Sequence, residues 1–155
     1  MPAAEPTAIH RMVARCRAGD HPAAVAKLES GWAVMGERQV FPGYCLLLPD
    51  PVVPDLNALA AVARGRFLAD MALLGDALLT ATGATRINYA MFGNLEPALH
   101  AHLFPRHSSE PDSTRTLQPW ALDWLAAPVY DVAVHGEMRA RIGAALASRA
   151  VLSCV

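Results

Sequence analysis

The segment Ala98-Leu99-His100-Ala101-His102-Leu103-Phe104-Pro105-Arg106-His107 concentrates the side chains able to do chemistry. In a strand, residues two apart share a face, so His100 and His102 project one way onto an open face. Leu99, Ala101 and Leu103 project the other way, onto a core. Like charges so close disfavour double protonation, so at least one ring is expected to be neutral at pH 7. A neutral imidazole is a nucleophile or base, and a protonated neighbour is an anion-binding donor. That division of labour suits phosphoryl chemistry, in which one nitrogen attacks phosphorus while other donors hold the oxygens. Spacing alone leaves two other readings open. Histidines at i and i+2 also occur on solvated strand faces without function. His100, His102 and His107 are also three nitrogens of the kind that bind zinc. Against zinc stand Pro105, which breaks the strand before His107, and the lack of a carboxylate in the immediate motif.

The elements that must carry this segment follow from hydrophobic period and chain punctuation. Residues 7–18 read as a short helix closed by Gly19. Residues 24–36 alternate loosely around Val25, Leu28, Trp32 and Val34, a strand with an irregularity at Glu29-Ser30-Gly31. Residues 43–48 are a short apolar run, expected to be a central strand and stopped by Pro49, Pro51 and Pro54. Asp55 is the expected N-cap of a long helix ending near Gly83. Its core stripe is Leu56, Leu59, Ala63, Phe67, Met71, Leu74 and Leu78. Residues 85–92 form another strand pattern, followed by a turn at Gly93-Asn94 and a strand over 98–104 ended by Pro105. Residues 108–117 read as a loop. Trp120, Trp124 and Tyr130 lie in an irregular stretch in which the two tryptophans are expected to pack together. Residues 136–149 form a final helix. The order α-β-β-α-β-β-α predicts an α+β fold with an antiparallel sheet.

Composition bounds the rest. The 155 residues suit one domain, 1–155, with an N-terminal helical extension over 1–20 and a C-terminal loop and helix over 108–155. Hydrophobic residues make up 54% and the net charge is −1, which excludes disorder and general nucleic-acid binding as first readings. Lys27 is the only lysine and alanine is abundant, a composition expected of a high-GC bacterial genome. No signal peptide or membrane span is read in the chain. The three cysteines, Cys16, Cys45 and Cys154, form no close pair, so a reducing cytoplasm is the expected compartment. Cys45 is expected to be an inert core thiol and Cys154 a residue of a mobile tail. His10, His21 and His135 are isolated and read as surface residues.

The stretch Ile87-Asn88-Tyr89-Ala90-Met91-Phe92-Gly93-Asn94, followed after a short gap by Leu99-His100-Ala101-His102-Leu103-Phe104-Pro105-Arg106, resembles the signature region of histidine triad proteins. Upstream, Phe41-Pro42-Gly43-Tyr44-Cys45-Leu46-Leu47-Leu48-Pro49 and the helix beyond Asp55-Leu56 resemble the family's strand and following helix. The likeness covers roughly residues 24–107. It implies a sheet with the long helix packed on it and a nucleotide as ligand. His100 would be the nucleophile that forms a nucleotidyl-histidine, and His102 a phosphate contact. Asn88 would lie near ribose or phosphate, and the loop with Asn94 and Glu96 would border the site. Asn88 and Asn94 are thus the implied substrate-binding residues. The implied activity is a nucleotidyl hydrolase or transferase acting without metal or other cofactor, as a homodimer. Dinucleoside polyphosphates such as diadenosine polyphosphate, nucleoside phosphoramidates and nucleotidyl adducts are its candidate substrates. Two departures stand out. Ala98 replaces the first histidine of the run, and Asp50-Pro51-Val52-Val53-Pro54 stands where many members carry a basic residue or histidine. Both departures thin the support of the nucleophile, implying slow catalysis or a degenerate, non-catalytic nucleotide-binding module. A histidine restored at 98 is expected to speed a catalytic site if the ring has room.

Overall fold

The computed structural model describes residues 5–152, so Cys154 lies outside the described residues. Helix α1, Ala8–Ala18, is capped by Thr7, whose side chain accepts from the His10 N–H, and closes at Gly19 in the left-handed region, φ 75°. Its buried stripe is Ile9, Val13 and Cys16. The expected single strand over 24–36 is two strands, β1 (Ala24–Lys27) and β2 (Gly31–Met35), paired as a hairpin. The cause is distant in sequence. The turn is held by Asp70, whose carboxylate accepts from the Ser30 N–H at 2.7 Å and the Ser30 hydroxyl at 2.6 Å. A Cβ at position 31 would run into the Leu48 carbonyl, which makes Gly31 necessary where β2 meets β3 (Cys45–Pro49).

Asp55 caps a turn, not the long helix. It closes a 3₁₀ turn at Leu56–Ala58, accepting from the Ala58 N–H at 2.8 Å. Leu59 is extended, and helix α2, Ala61–Thr82, starts only after it. Its buried face carries Phe67, Leu74 and Leu78 from the expected stripe, together with Asp70. Strand β4 is Arg86–Ala90 and β5 is Ala101–Arg106. The short helix α3, Asp112–Arg115, interrupts the expected loop, and α4, Val132–Leu152, begins earlier and ends later than its periodicity suggests.

The strands form one antiparallel five-stranded sheet in the order β1-β2-β3-β5-β4. β5 was expected to stop at Pro105, yet it runs through it. The Arg106 carbonyl accepts from the Thr85 N–H on the β4 side, so Pro105, one residue back, faces the β3 side. Pairing with β3 ends at Cys45↔Leu103, so the proline's missing donor faces no partner. One sheet face, with Met35, Leu47, Ala101 and Leu103, packs under α2 and α4. The opposite face carries Val34, Leu46, Leu48 and Phe104 and is covered by α1 and an aromatic segment that includes Trp124. Both faces are therefore dry over most of their area, each buried leucine or phenylalanine contributing about 1.5–3 kcal/mol.

Candidate active site

His100 lies just ahead of β5, and the face it was expected to expose is covered: the side chain is buried, 7% accessible. Its Nδ1 is 2.8 Å from the Ala98 carbonyl. A carbonyl only accepts, so Nδ1 carries the hydrogen and, in the neutral ring, Nε2 holds the lone pair. The ring also lines a pocket of about 210 Å³ with Asp55, Asn57, Met91, Phe92 and Gly93. His102, in β5, meets His100 edge-on with ring centroids 4.8 Å apart. Burial, then the charge of His100, lowers the His102 pKa to about 4, so this ring is neutral at pH 7.

Tyr44 supports His102. It precedes β3 by one residue and is two residues from Leu46, which pairs with His102, so it sits diagonally across the sheet on the same face. Its hydroxyl is 2.7 Å from His102 Nδ1, and burial raises its pKa, so it stays protonated. The rings of Tyr44, Phe104 and His102 lie nearly parallel, with 15° between Tyr44 and Phe104 and 5° between His102 and Phe104. Trp120 closes on His102 edge-on at 5.3 Å and packs beside Trp124 at 6.0 Å, the tryptophan pairing expected from their spacing. Tyr44 belongs to the family-like run, but its role emerges only from strand pairing.

Arg106 holds the segment that delivers Trp120. Its guanidinium pairs with Glu110 at 2.7 Å, donates to the carbonyls of Arg115 and Leu117 at 3.0 and 3.2 Å, and lies over the Phe41 ring at 4.4 Å. Nothing in the spacing of the sequence announces this network beyond the Pro-Arg that ends the run.

Asn88 is half-buried on β4. Its register, Asn88↔Phe104 beside Ala90↔His102, puts it on the face of His102. It lines a pocket of about 630 Å³ with Phe92, Phe104, Gln118 and Trp120, separate from the one His100 lines. Asn94 is exposed in the loop and lines neither of these pockets. Glu96 joins the site instead, through the Ala8 and Ala98 amides. A third pocket, about 590 Å³, lies between α1 and the C-terminal segment, with Arg15, His21, Arg38, Tyr44, Trp124 and Tyr130 on its walls. Among the described residues, no three His, Cys, Asp or Glu side chains are grouped to hold a metal ion, so His107 does not join His100 and His102 as a ligand set. Nor is any helix among them long and apolar enough to cross a membrane.

No protein-family model and no curated protein sequence matches the chain. Solved structures do. A histidine triad protein from Marinobacter aquaeolei VT8 aligns with TM-score 0.72 and 16% identity, covering 93% of this chain and 98% of the other. A hypothetical histidine triad nucleotide-binding protein from Sulfolobus tokodaii strain7 aligns with TM-score 0.71 and 13% identity, covering 89% and 92%. A zinc-bound histidine triad family protein from Mycobacterium smegmatis aligns with TM-score 0.65 and 19% identity, covering 87% and 91%. The chain has the fold of the histidine triad superfamily.

Proposed function

We propose that the protein is a nucleotidyl hydrolase or transferase in which His100 is the nucleophile. The observation that carries this reading is the bond from His100 Nδ1 to the Ala98 carbonyl, which leaves the Nε2 lone pair free in a ring bordering a pocket. In the first step Nε2 attacks the α-phosphorus of a nucleoside phosphate derivative. The Nε2–P bond forms as the bond from phosphorus to the leaving group breaks. The leaving group departs with the bonding pair and takes a proton from solvent. Water then attacks phosphorus, the Nε2–P pair returns to the ring, and the water proton passes to solvent, releasing a nucleoside monophosphate. In a transferase another acceptor replaces water.

His102 is assigned to the phosphate. Donation from the protonated Tyr44 to Nδ1 leaves Nε2–H as a neutral donor for a phosphoryl oxygen, without the charge of an imidazolium. Asn88 is assigned to ribose or phosphate from its place on the same face, and Asn94 to the outer edge of the site. Dinucleoside polyphosphates, nucleoside phosphoramidates and nucleotidyl adducts are the substrate classes to screen, and the setting proposed is the cytoplasm of a bacterium. The name of the Sulfolobus neighbour describes a nucleotide-binding protein, in keeping with this ligand class.

Two observations favour a second reading, a nucleotide-binding module without turnover: His100 is buried, and Trp120 stands edge-on to His102. Trapping decides between them. The protein is treated with radiolabelled adenosine 5′-phosphoramidate and quenched in alkali, with His100→Ala as control. A labelled adduct present only with His100 supports the enzyme; tight AMP binding with no adduct and no turnover supports the module.

A further inference from the structure

Residues 98–100 precede the β5 ladder, so sheet pairing does not set the His100 ring. Local bonds do. The Leu99 N–H donates to the Val53 carbonyl at 2.8 Å. The Ala98 N–H donates to Oε1 of Glu96 at 3.2 Å, while the Ala98 carbonyl accepts from His100 Nδ1 at 2.8 Å. The other carboxylate oxygen of Glu96 accepts from the Ala8 N–H at 3.0 Å. One carboxylate thus ties the first turn of α1 to the N–H of Ala98, the residue whose carbonyl, one peptide further on, selects the His100 tautomer. Such bonds to an anion are stronger than neutral ones, and the helix N-terminus favours the negative charge there.

We propose that Glu96 is a positioning residue for His100, acting through Ala98 to hold the ring in its Nδ1–H form and placing a negative charge beside the ring when Nε2 is nucleotidylated. The inference rests on the reading of His100 as the nucleophile. Attack on phosphorus leaves the imidazole cationic, with Nδ1–H still donating to Ala98. A nearby carboxylate stabilises that cation more than it stabilises the neutral ring of the ground state, so its effect falls on the rate of the step. The side chain missing at position 98 is not what orients Nδ1, because the backbone carbonyl does this whatever residue stands there. Burial raises the Glu96 carboxyl pKa, but the Thr7 hydroxyl, the two amides and the charge of His100 outweigh it and keep the group ionised below the ordinary range.

The test uses the full chain with ¹⁵N-histidine, the His100 signals being assigned by their loss in His100→Asn. Long-range ¹H–¹⁵N correlations at neutral pH should show wild-type His100 as the Nδ1–H tautomer. Glu96→Ala should show a mixture of tautomers, and so should Glu96→Gln, to a lesser degree, because its amide oxygen keeps one acceptor. In parallel, adenosine 5′-phosphorimidazolide should adenylylate His100 about tenfold more slowly in Glu96→Gln, with AMP affinity within about twofold of wild type. An unmixed Nδ1–H signal in both variants, or an unchanged adenylylation rate, overturns the proposal. The ring spectrum is read without turnover. A wild-type protein that forms no adduct therefore defeats the nucleophile assignment, while the tautomer result still decides whether Glu96 positions the ring. Glu96→Gln preserves side-chain volume and one bond, so it reports even if Glu96→Ala fails to fold.

Discussion

At the residue scale, the two histidines are set apart by what each Nδ1 meets: a backbone carbonyl for His100, a phenol for His102. His102 gives the clearest pH signature. Its pKa falls from 6.5 to about 4 on folding, so the unfolded chain binds more protons between those values. Its contribution is fully present above pH 6.5 and is lost as the pH falls through about 4. Allowing for partial solvent access, urea unfolding should show a loss of about 2 kcal/mol from pH 7 to pH 4. His102→Gln should flatten that slope; an equally steep slope in the variant would place its origin elsewhere. Tyr44→Phe removes one hydroxyl and strands Nδ1 of His102, and should cost about 1–2 kcal/mol in the same assay. Position 98 carries a further expectation. Ala98 is 4% accessible in the cluster with Val34, Phe104 and the α1 residues, and it also lines the pocket of about 210 Å³ beside His100, so the ring that the family likeness suggests restoring must displace buried neighbours or fill that pocket. Ala98→His should destabilise by about 1–3 kcal/mol without accelerating adduct formation.

At the scale of elements, Arg106 joins the strand of the histidines to the segment that places Trp120. Its side chain is 9% accessible and that of Glu110 12%, so removing one partner leaves a charge that water reaches poorly. Arg106→Met should lower stability by about 3 kcal/mol and loosen residues 110–121, checked by unfolding and by amide exchange of that segment. An unchanged exchange pattern would count against this coupling of the strand to the aromatic segment. Which parts of the structure were legible in the sequence depended on whether their cause was local or distant. Local signals read true where the cause was local: Thr7 and Gly19 bound α1, and alternation put Ala101 and Leu103 on the core face. They misled where a distant residue decided. Asp70 folds the β1–β2 hairpin from forty residues away in sequence, and the end of β3 lets Pro105 stay in its strand. For the site, the histidine pair was legible from spacing two apart, but its burial, the Tyr44 bond and the Glu96 brace depend on the register of β3 with β5 and the docking of α1. Neither is written in a local pattern.

At the scale of the whole molecule, the sheet has two edges, β1 and β4, and they differ. β4 carries Tyr89, 44% accessible, and the chain just beyond it exposes Met91, 37%, and Phe92, 55%. Its outward N–H and C=O groups meet no strand among the described residues, and such an edge with apolar neighbours is a template for pairing. On α2, Val62, Leu68 and Leu79 are also exposed. A homodimer joined through the sheet and the long helix, the assembly implied by the family likeness, would use both surfaces in one isologous contact, each patch meeting its own copy. It would also bring the β4 edges, and with them the pockets lined by Asn88 and Trp120, close to the twofold axis. Light scattering at micromolar concentration should then give about twice the chain mass of 16.5 kDa. Tyr89→Lys places like charges across the axis and weakens edge pairing, so it should shift the protein towards the monomer mass while the far-ultraviolet circular dichroism stays unchanged. A wild-type mass of one chain would refute the dimer, and a dimer indifferent to Tyr89→Lys would move its interface away from β4.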